Sequence, residues 1–549
     1  MGESQDISSS GKIGESTTAL IHRECARLFL INLIHIDQNQ KNIIQGSLME
    51  NKLKELKIHL AEVDDLKKAS TVLAWDQSTY MPPGGVEARG RIMATLGQLA
   101  QEKFIDPTIG RLLDELQPNV EDLPYDSYEA SLIRVTRREY DRLVKIPPAF
   151  MGELENHITQ TYQVWAEARP ANDFPRVRPL LEKTVELSRQ LANYFPGYDH
   201  IIDPLIAFED YGMTAATLKS LFSSLRKELV PLVKAITSQE PADDSCLRKY
   251  YPQDRQLALS KEIAARLGYD FQRGCLHLTH HPFETTFSVG DVRINVRVKE
   301  DFLGECLWGV LHEGGHAMYE QGVDPELEGT PLCGGTSAGM HESQSRLWEN
   351  LVGRSRDFCE YLFPCLQETF PTQLGDVSME TFYRAINKVE KSLIRTDADE
   401  VTYNLHVMLR LDFEMDVLEG KLAVRDLPEA WRERFQADFG ITPPDDRDGV
   451  LQDVHWYDGL LGGNFQGYTL GNILSAQFFE AALIDHPEIP QERRQGKLDT
   501  LHKWLIENIY QHGSKFTADE LVKRATGGPI QIEPYIRYLR TKYGKIYKI

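Results

Sequence analysis

Leu307-Trp-Gly-Val-Leu-His312-Glu313-Gly-Gly-His316-Ala-Met-Tyr319 is the stretch on which the reading of this chain turns. Histidines at i and i+4 stand one turn apart on a single helix face, so both imidazoles can reach one Zn²⁺ at ~2.0–2.1 Å. Glu313 is adjacent and can point at a water held on such an ion, ready to take its proton. The helix has a separate apolar face in Leu307, Leu311 and Met318, so its packing does not need the histidines. Gly314 and Gly315 fall mid-helix, where each costs about 1 kcal/mol relative to Ala. That cost implies close approach by a substrate or a neighbouring element.

A catalytic zinc site needs a third protein ligand. Downstream comes Ser337-Ala-Gly-Met-His341-Glu342-Ser-Gln-Ser-Arg346-Leu-Trp348, which reads as a second helix with Ser337 or Thr336 as N-cap. Glu342 follows His316 by 26 positions, a suitable reach for a helix, a loop and a returning helix. His341 is its competitor. With Glu342 the donor set is His₂Glu, which leaves one coordination position open for water and points to metal-assisted hydrolysis. Cobalt can replace zinc in such a set.

Around this centre the chain is helical over long stretches. Leu53, Leu56, Leu60, Val63 and Leu66 recur at spacings of three and four, and similar patterns cover 124–145, 177–195, 215–236, 379–395, 400–424 and 496–511. Pro82-Pro83-Gly84-Gly85, Ser238 to Ser245 and Pro443 to Gly449 mark loops. One region departs from the helical period. In Ser288 to Val298, apolar Val292, Ile294, Val296 and Val298 alternate with Arg293, Asn295 and Arg297, which is the period of a strand with one buried face. Thr285, Phe287 and Val289 precede the pair Gly290-Asp291, so a hairpin is expected just upstream of the metal motif.

The bulk properties set limits on function. The chain has 549 residues, 41% hydrophobic and 26% charged, and a net charge of −21. An acidic surface of this kind repels nucleic acid and anionic membrane, so neither is expected as a partner. The seven cysteines are odd in number and form no CxxC pair, which reads as free thiols in a reducing compartment. No apolar run approaches the ~18 residues of a membrane span. Residues 1–48 read as a poorly ordered extension, without the apolar stretch and cleavage site of a signal peptide. A cytoplasmic location is expected, with organelle targeting as the alternative. Residues 49–549 are expected to form one helical catalytic domain with a central cleft.

The chain resembles the Taq-type (thermostable) zinc metallocarboxypeptidases from about Met49 to its C-terminus. The motifs that carry the resemblance, in the family's order, are Trp75-Asp76-Gln77 with Met81-Pro82, then His281-Pro282-Phe283, Asp291-Val-Arg293 and His312-Glu313-Gly-Gly-His316. His341-Glu342-Ser343-Gln344, Ile394-Arg395-Thr-Asp397-Ala-Asp399-Glu400 and Gly449-Val-Leu-Gln452-Asp453-Val-His455-Trp456 complete the set. The resemblance implies a mainly α, two-lobed fold of the neurolysin or angiotensin-converting-enzyme kind, with a small β-sheet near a deep cleft, and usually a homodimer. It implies a broad-specificity carboxypeptidase acting on peptides with a free C-terminus. His312 and His316 would be ligands, Glu342 the third ligand and Glu313 the general base. Two departures stand out. Asn295 replaces the threonine of the family's DxRxT, and Gly463-Asn-Phe-Gln-Gly467 replaces its usual aromatic and proline version.

A terminal carboxylate suits the planar fork of arginine. Arg395 is the first choice, at the head of an acidic cluster (Asp397, Asp399, Glu400) expected on a helix that would hold it; Arg293 on the strand is the second. Asp397 or Glu400 could also take the spare N–H of a ligand histidine. By resemblance, His281 and Tyr468 are candidates for stabilising an oxyanion. A helical zinc oligopeptidase or dipeptidase is the alternative, told apart by its action on C-terminally amidated peptides. A silent binding protein would lack bound metal.

Overall fold

A computed structural model describes the backbone of residues 14–549 and, with few exceptions before residue 49, the side chains of residues 49–549. The mainly helical expectation holds. The first helix, Gly14–Thr79, runs without a break through the boundary expected at residue 48; residues 1–13 lie outside the described residues. The periodic stretches resolve into helices Tyr128–Leu143, Phe174–Asn193, Ala215–Thr237, Tyr403–Glu419 and Asp499–Asn508. The helix expected over 379–395 ends early, spanning only Met379–Ala385. Beyond it Asn387 donates to Tyr383 O and Arg354 O, and tertiary bonds take over from the helical ladder.

The hairpin forms as expected. β2 (Phe283–Ser288) pairs antiparallel with β3 (Asp291–Val296), Thr285 opposite Arg293. A third strand was not legible: β1 (Leu276–Leu278) lies parallel to β3, giving the order β1-β3-β2. Val292, Ile294 and Val296 are fully buried, as the alternation requires. So is Asn295, which the alternation assigns to the other face. It donates to Phe283 O at 3.0 Å and accepts from Trp75 Nε1 at 2.9 Å, tying the sheet to the first helix. The departure from the family's threonine therefore places a buried amide that both donates and accepts.

Buried side chains fall into two clusters, which gives the two-lobed division a physical basis. The smaller one gathers Leu56, Leu60 and Val63 with Ile109, Leu112, Leu132 and Val289. The larger one contains the helices Tyr403–Glu419 and Gln466–Asp485, both buried on nearly every side. Among the described residues, no helix is long and apolar enough to cross a membrane.

Candidate metal centre

The metal motif lies on helix Leu303–Gly322, with Leu307, Leu311 and Met318 buried beneath it. Helix Ala338–Arg346 crosses it, capped by Ser337, whose side chain accepts from Met340 N. The crossing explains half of the glycine pair. A Cβ on Gly315 would meet Gln344 O at 2.6 Å and Ser345 Cα at 2.7 Å, so the two backbones nearly touch there. Gly314 is different: a Cβ would meet only Ile294 Cδ1 at 3.9 Å, an ordinary contact. From the other side, Gly471 presses on Glu342, where an added Cβ would lie 2.5 Å from Cγ.

This close packing brings three donors together. His312 Nε2 and His316 Nε2 lie 3.6 and 3.4 Å from Glu342 Oε2. One ligand atom from each of the three residues falls within 4.8 Å of the others. His341, the competing ligand, is turned away: its Nε2 bonds Glu320 Oε1 at 3.0 Å while its ring stacks on His316 at 4.5 Å.

The partner of His312 is not in the acidic cluster. Nδ1 of His312 lies 3.0 Å from Glu349 Oε2, and Glu349 also accepts from Arg354 at 2.9 Å. Glu349 stands on a π-helical stretch, Leu347–Gly353, that continues the Glu342 helix. The sequence did hold a signal for it, since seven positions after Glu342 return to nearly the same helix face. A neutral His312 whose Nδ1–H donates to Glu349 turns the lone pair of Nε2 toward Glu342. Lone pairs converging on a carboxylate oxygen suit a cation between them, so this donor set fits a divalent metal. Glu400 serves elsewhere, accepting from Lys542 Nζ at 2.8 Å, and among the described residues the Asp397 side chain has no hydrogen bond to either histidine.

Electrostatics sort the carboxylates. Burial alone would raise Glu342, but Arg346, His312 and His316 outweigh it and hold the carboxyl well below its usual range. Arg346 donates to its Oε1 at 2.6 Å. Glu313 goes the other way. Burial, with Glu342 and Glu349 nearby and His312 opposing, pushes it up to about 7, the range that suits a group exchanging protons near neutrality. His316 is pushed down to about 3 by burial and by His341. An imidazole in that state is neutral and able to ligate.

The substrate candidates separate into three places. Arg395 is only 5% exposed and opens a 3₁₀ turn, Arg395–Asp397, not a helix. Asp453, Gln452 and Tyr403 hold it instead of the acidic cluster: Nε donates to Asp453 Oδ2 at 2.5 Å, its backbone N–H to Gln452 Oε1 and Nη1 to Tyr403 OH. Tyr468 joins this group, with Arg395 5.1 Å over its ring and its hydroxyl 3.1 Å from His455 Nε2. Arg293 is elsewhere, held by both oxygens of Asp291 and lying over Trp75 and Phe287. His281 is exposed, and among the described residues its hydrogen bond is to Pro282 O.

Known proteins are similar to this chain along nearly its whole length. The model of the carboxypeptidase Taq (M32) metallopeptidases matches residues 55–543. Thermostable carboxypeptidase 1 of Thermus thermophilus is 40% identical over 494 residues, covering 88% of this chain and 96% of that protein. Carboxypeptidase 1 of Bacillus subtilis is 36% identical over 492 residues, covering 89% and 97%. The crystal structure of an M32 carboxypeptidase from Deinococcus radiodurans superposes with a TM-score of 0.88 at 47% identity, over 91% of this chain and all of the other. The chain belongs to the carboxypeptidase Taq (M32) metallopeptidase family, and it is a metallocarboxypeptidase.

Proposed function

We propose that this chain removes single residues from the C-termini of peptides with broad specificity, using Zn²⁺ held by His312, His316 and Glu342. The observation that carries the reading is the meeting of the three donor atoms within 4.8 Å of one another beside a buried Glu313. When bound, the metal would supply Lewis-acid polarisation of the scissile carbonyl and a water of lowered pKa.

The protein's own part is proton handling and register. Glu313 takes the proton of the attacking water and passes it to the leaving amine, a task matched to its raised pKa. Glu349 keeps the His312 ring in one orientation through Nδ1. Arg395 binds the terminal carboxylate, with Tyr403 and Asp453 fixing its fork and Tyr468 beside it, so that the last peptide bond faces Glu313. Residues 49–549 act as one catalytic domain in the cytoplasm, and the working unit is a homodimer.

Metal analysis of the purified protein, followed by mass spectrometry of a digested peptide, tests this. Stepwise loss of C-terminal residues from a free peptide and none from its C-terminal amide is the expected result. Internal cleavage of the amidated peptide would replace it with an oligopeptidase.

A further inference from the structure

Helix Tyr128–Leu143 carries four arginines, Arg134, Arg137, Arg138 and Arg142, against Glu129, Glu139 and Asp141, in a chain of net charge −21. Arg134, Arg138 and Arg142 follow one another at four-residue spacing on one face, where like charges repel. With Arg137, Lys145 and Lys515 they line a cavity of about 530 Å³, against only two lining carboxylates, Asp141 and Glu520. That volume is in the range of small-molecule sites.

Three of these six cations, Arg134, Lys145 and Lys515, form no ion pair among the described residues, while Arg137 pairs with Asp114 and Asp141. Arg138 and Arg142 share one carboxylate, Glu139. Arg134 donates to the carbonyls of Tyr125 and Lys515, and Lys145 and Lys515 form no ion pair. Aromatic faces hold the guanidiniums in place: Arg134 lies 3.7 Å over Tyr125 and Arg138 4.3 Å over Tyr211. Tyr198 stands at the same cavity, 46% exposed.

The cavity is separate from the metal centre. None of His312, Glu313, His316, Glu342 or Arg395 lines it. The loop before the Glu342 helix stands between them, with Thr336 Oγ1 donating to Phe516 O on the cavity wall.

We propose that this cavity binds a small phosphate-bearing polyanion, a nucleoside polyphosphate or an inorganic polyphosphate. Clustered arginines suit phosphate, because each fork can give two charge-assisted hydrogen bonds. An acidic peptide is the weaker fit. It would spread its charge beyond the pocket onto a surface of its own sign, whereas a compact polyphosphate keeps its charge where the field is focused.

Calorimetric titration of the full metal-loaded chain tests this at low salt. The titrants are ATP and tripolyphosphate, each as its magnesium complex so that the enzyme's metal is not stripped, and hexaglutamate. Saturable binding of ATP or tripolyphosphate is expected, with Kd in the ~10–100 μM range. Lys145→Glu with Lys515→Glu weakens it at least about tenfold. The milder pair Lys145→Gln with Lys515→Gln gives a smaller loss, and Lys503→Glu on a remote surface none. Tighter ATP assigns a nucleotide; equal affinities assign the phosphate chain itself; either sustains the proposal. No saturable binding, a preference for hexaglutamate, or lysine variants that bind like the parent overturns it.

Discussion

Glu349 Oε2 stands 3.0 Å from His312 Nδ1, on a π-helical stretch seven residues beyond Glu342. π-helical turns inside helices occur frequently at functional sites. Here one continuous run of chain supplies both the carboxylate of the donor cluster and the partner of one of its histidines.

Glu349→Gln is expected to lower metal affinity by about 10- to 100-fold, the usual cost of losing a partner behind a ligand. A chelator competition titration measures it. Unchanged affinity would remove Glu349 from the site.

Replacing Glu313 separates binding from chemistry. In Glu313→Gln the three donors remain, so metal content should stay near one ion per chain. Turnover should fall by about 10²–10⁴-fold, the range of general acid–base catalysis. Metal analysis together with kcat on a short peptide distinguishes the two effects.

Gly471→Ala tests whether packing holds the ligand in place. The new Cβ would lie 2.5 Å from Glu342 Cγ and 2.7 Å from Cβ, so one of the two helices must shift. Overpacking of this kind costs about 1–3 kcal/mol. A denaturant melt should show the loss and metal affinity should fall with it. Gly314→Ala, with its nearest neighbour at 3.9 Å, is the contrast: it should gain up to about 1 kcal/mol of helix propensity and leave metal affinity nearly unchanged.

A buried acid away from the metal gives a pH signature. Glu414 is fully buried, and burial pushes it up to about 7 despite the hydrogen bond from Trp456 and the nearby Arg410. Its folded pKa lies above the unfolded value, so its contribution to stability is complete below about 4.5 and is lost as pH rises through about 7. The size is about 3 kcal/mol. Glu414→Gln should therefore lose less stability between pH 4.5 and 8 than the parent, read from urea melts at each pH.

The metal centre was legible because its logic is local. Two histidines one turn apart announce themselves through helical spacing, while the carboxylate on the next helix follows from the reach of the chain, with His341 as its competitor. The support around it was harder to read. Arg395 sits in a 3₁₀ turn whose shape depends on Gln452 and Asp453, 57 and 58 residues away, and no helical period encodes that contact. β1 is three residues long, too short for an alternating pattern to show. Asn295 was read from its place in the strand as outward, yet Trp75 and Phe283 O draw its amide inward. Local periods gave the elements; long-range polar bonds decided which side chains serve them.

The two glycines that flank Glu342 have a consequence for ion choice. Gly315 lets the two helices meet main chain to main chain, and Gly471 leaves just enough room for the Glu342 side chain. A donor set backed by so close a crossing resists widening for a guest. Ions with bonds of ~2.0–2.2 Å to nitrogen and oxygen match a narrow cradle, while Ca²⁺, which takes 6–8 oxygen ligands at ~2.3–2.6 Å, would have to force the helices apart. Competition of Ca²⁺ against Co²⁺ for the metal-free protein should therefore favour the smaller ion, and a Gly315→Ala variant should change that preference.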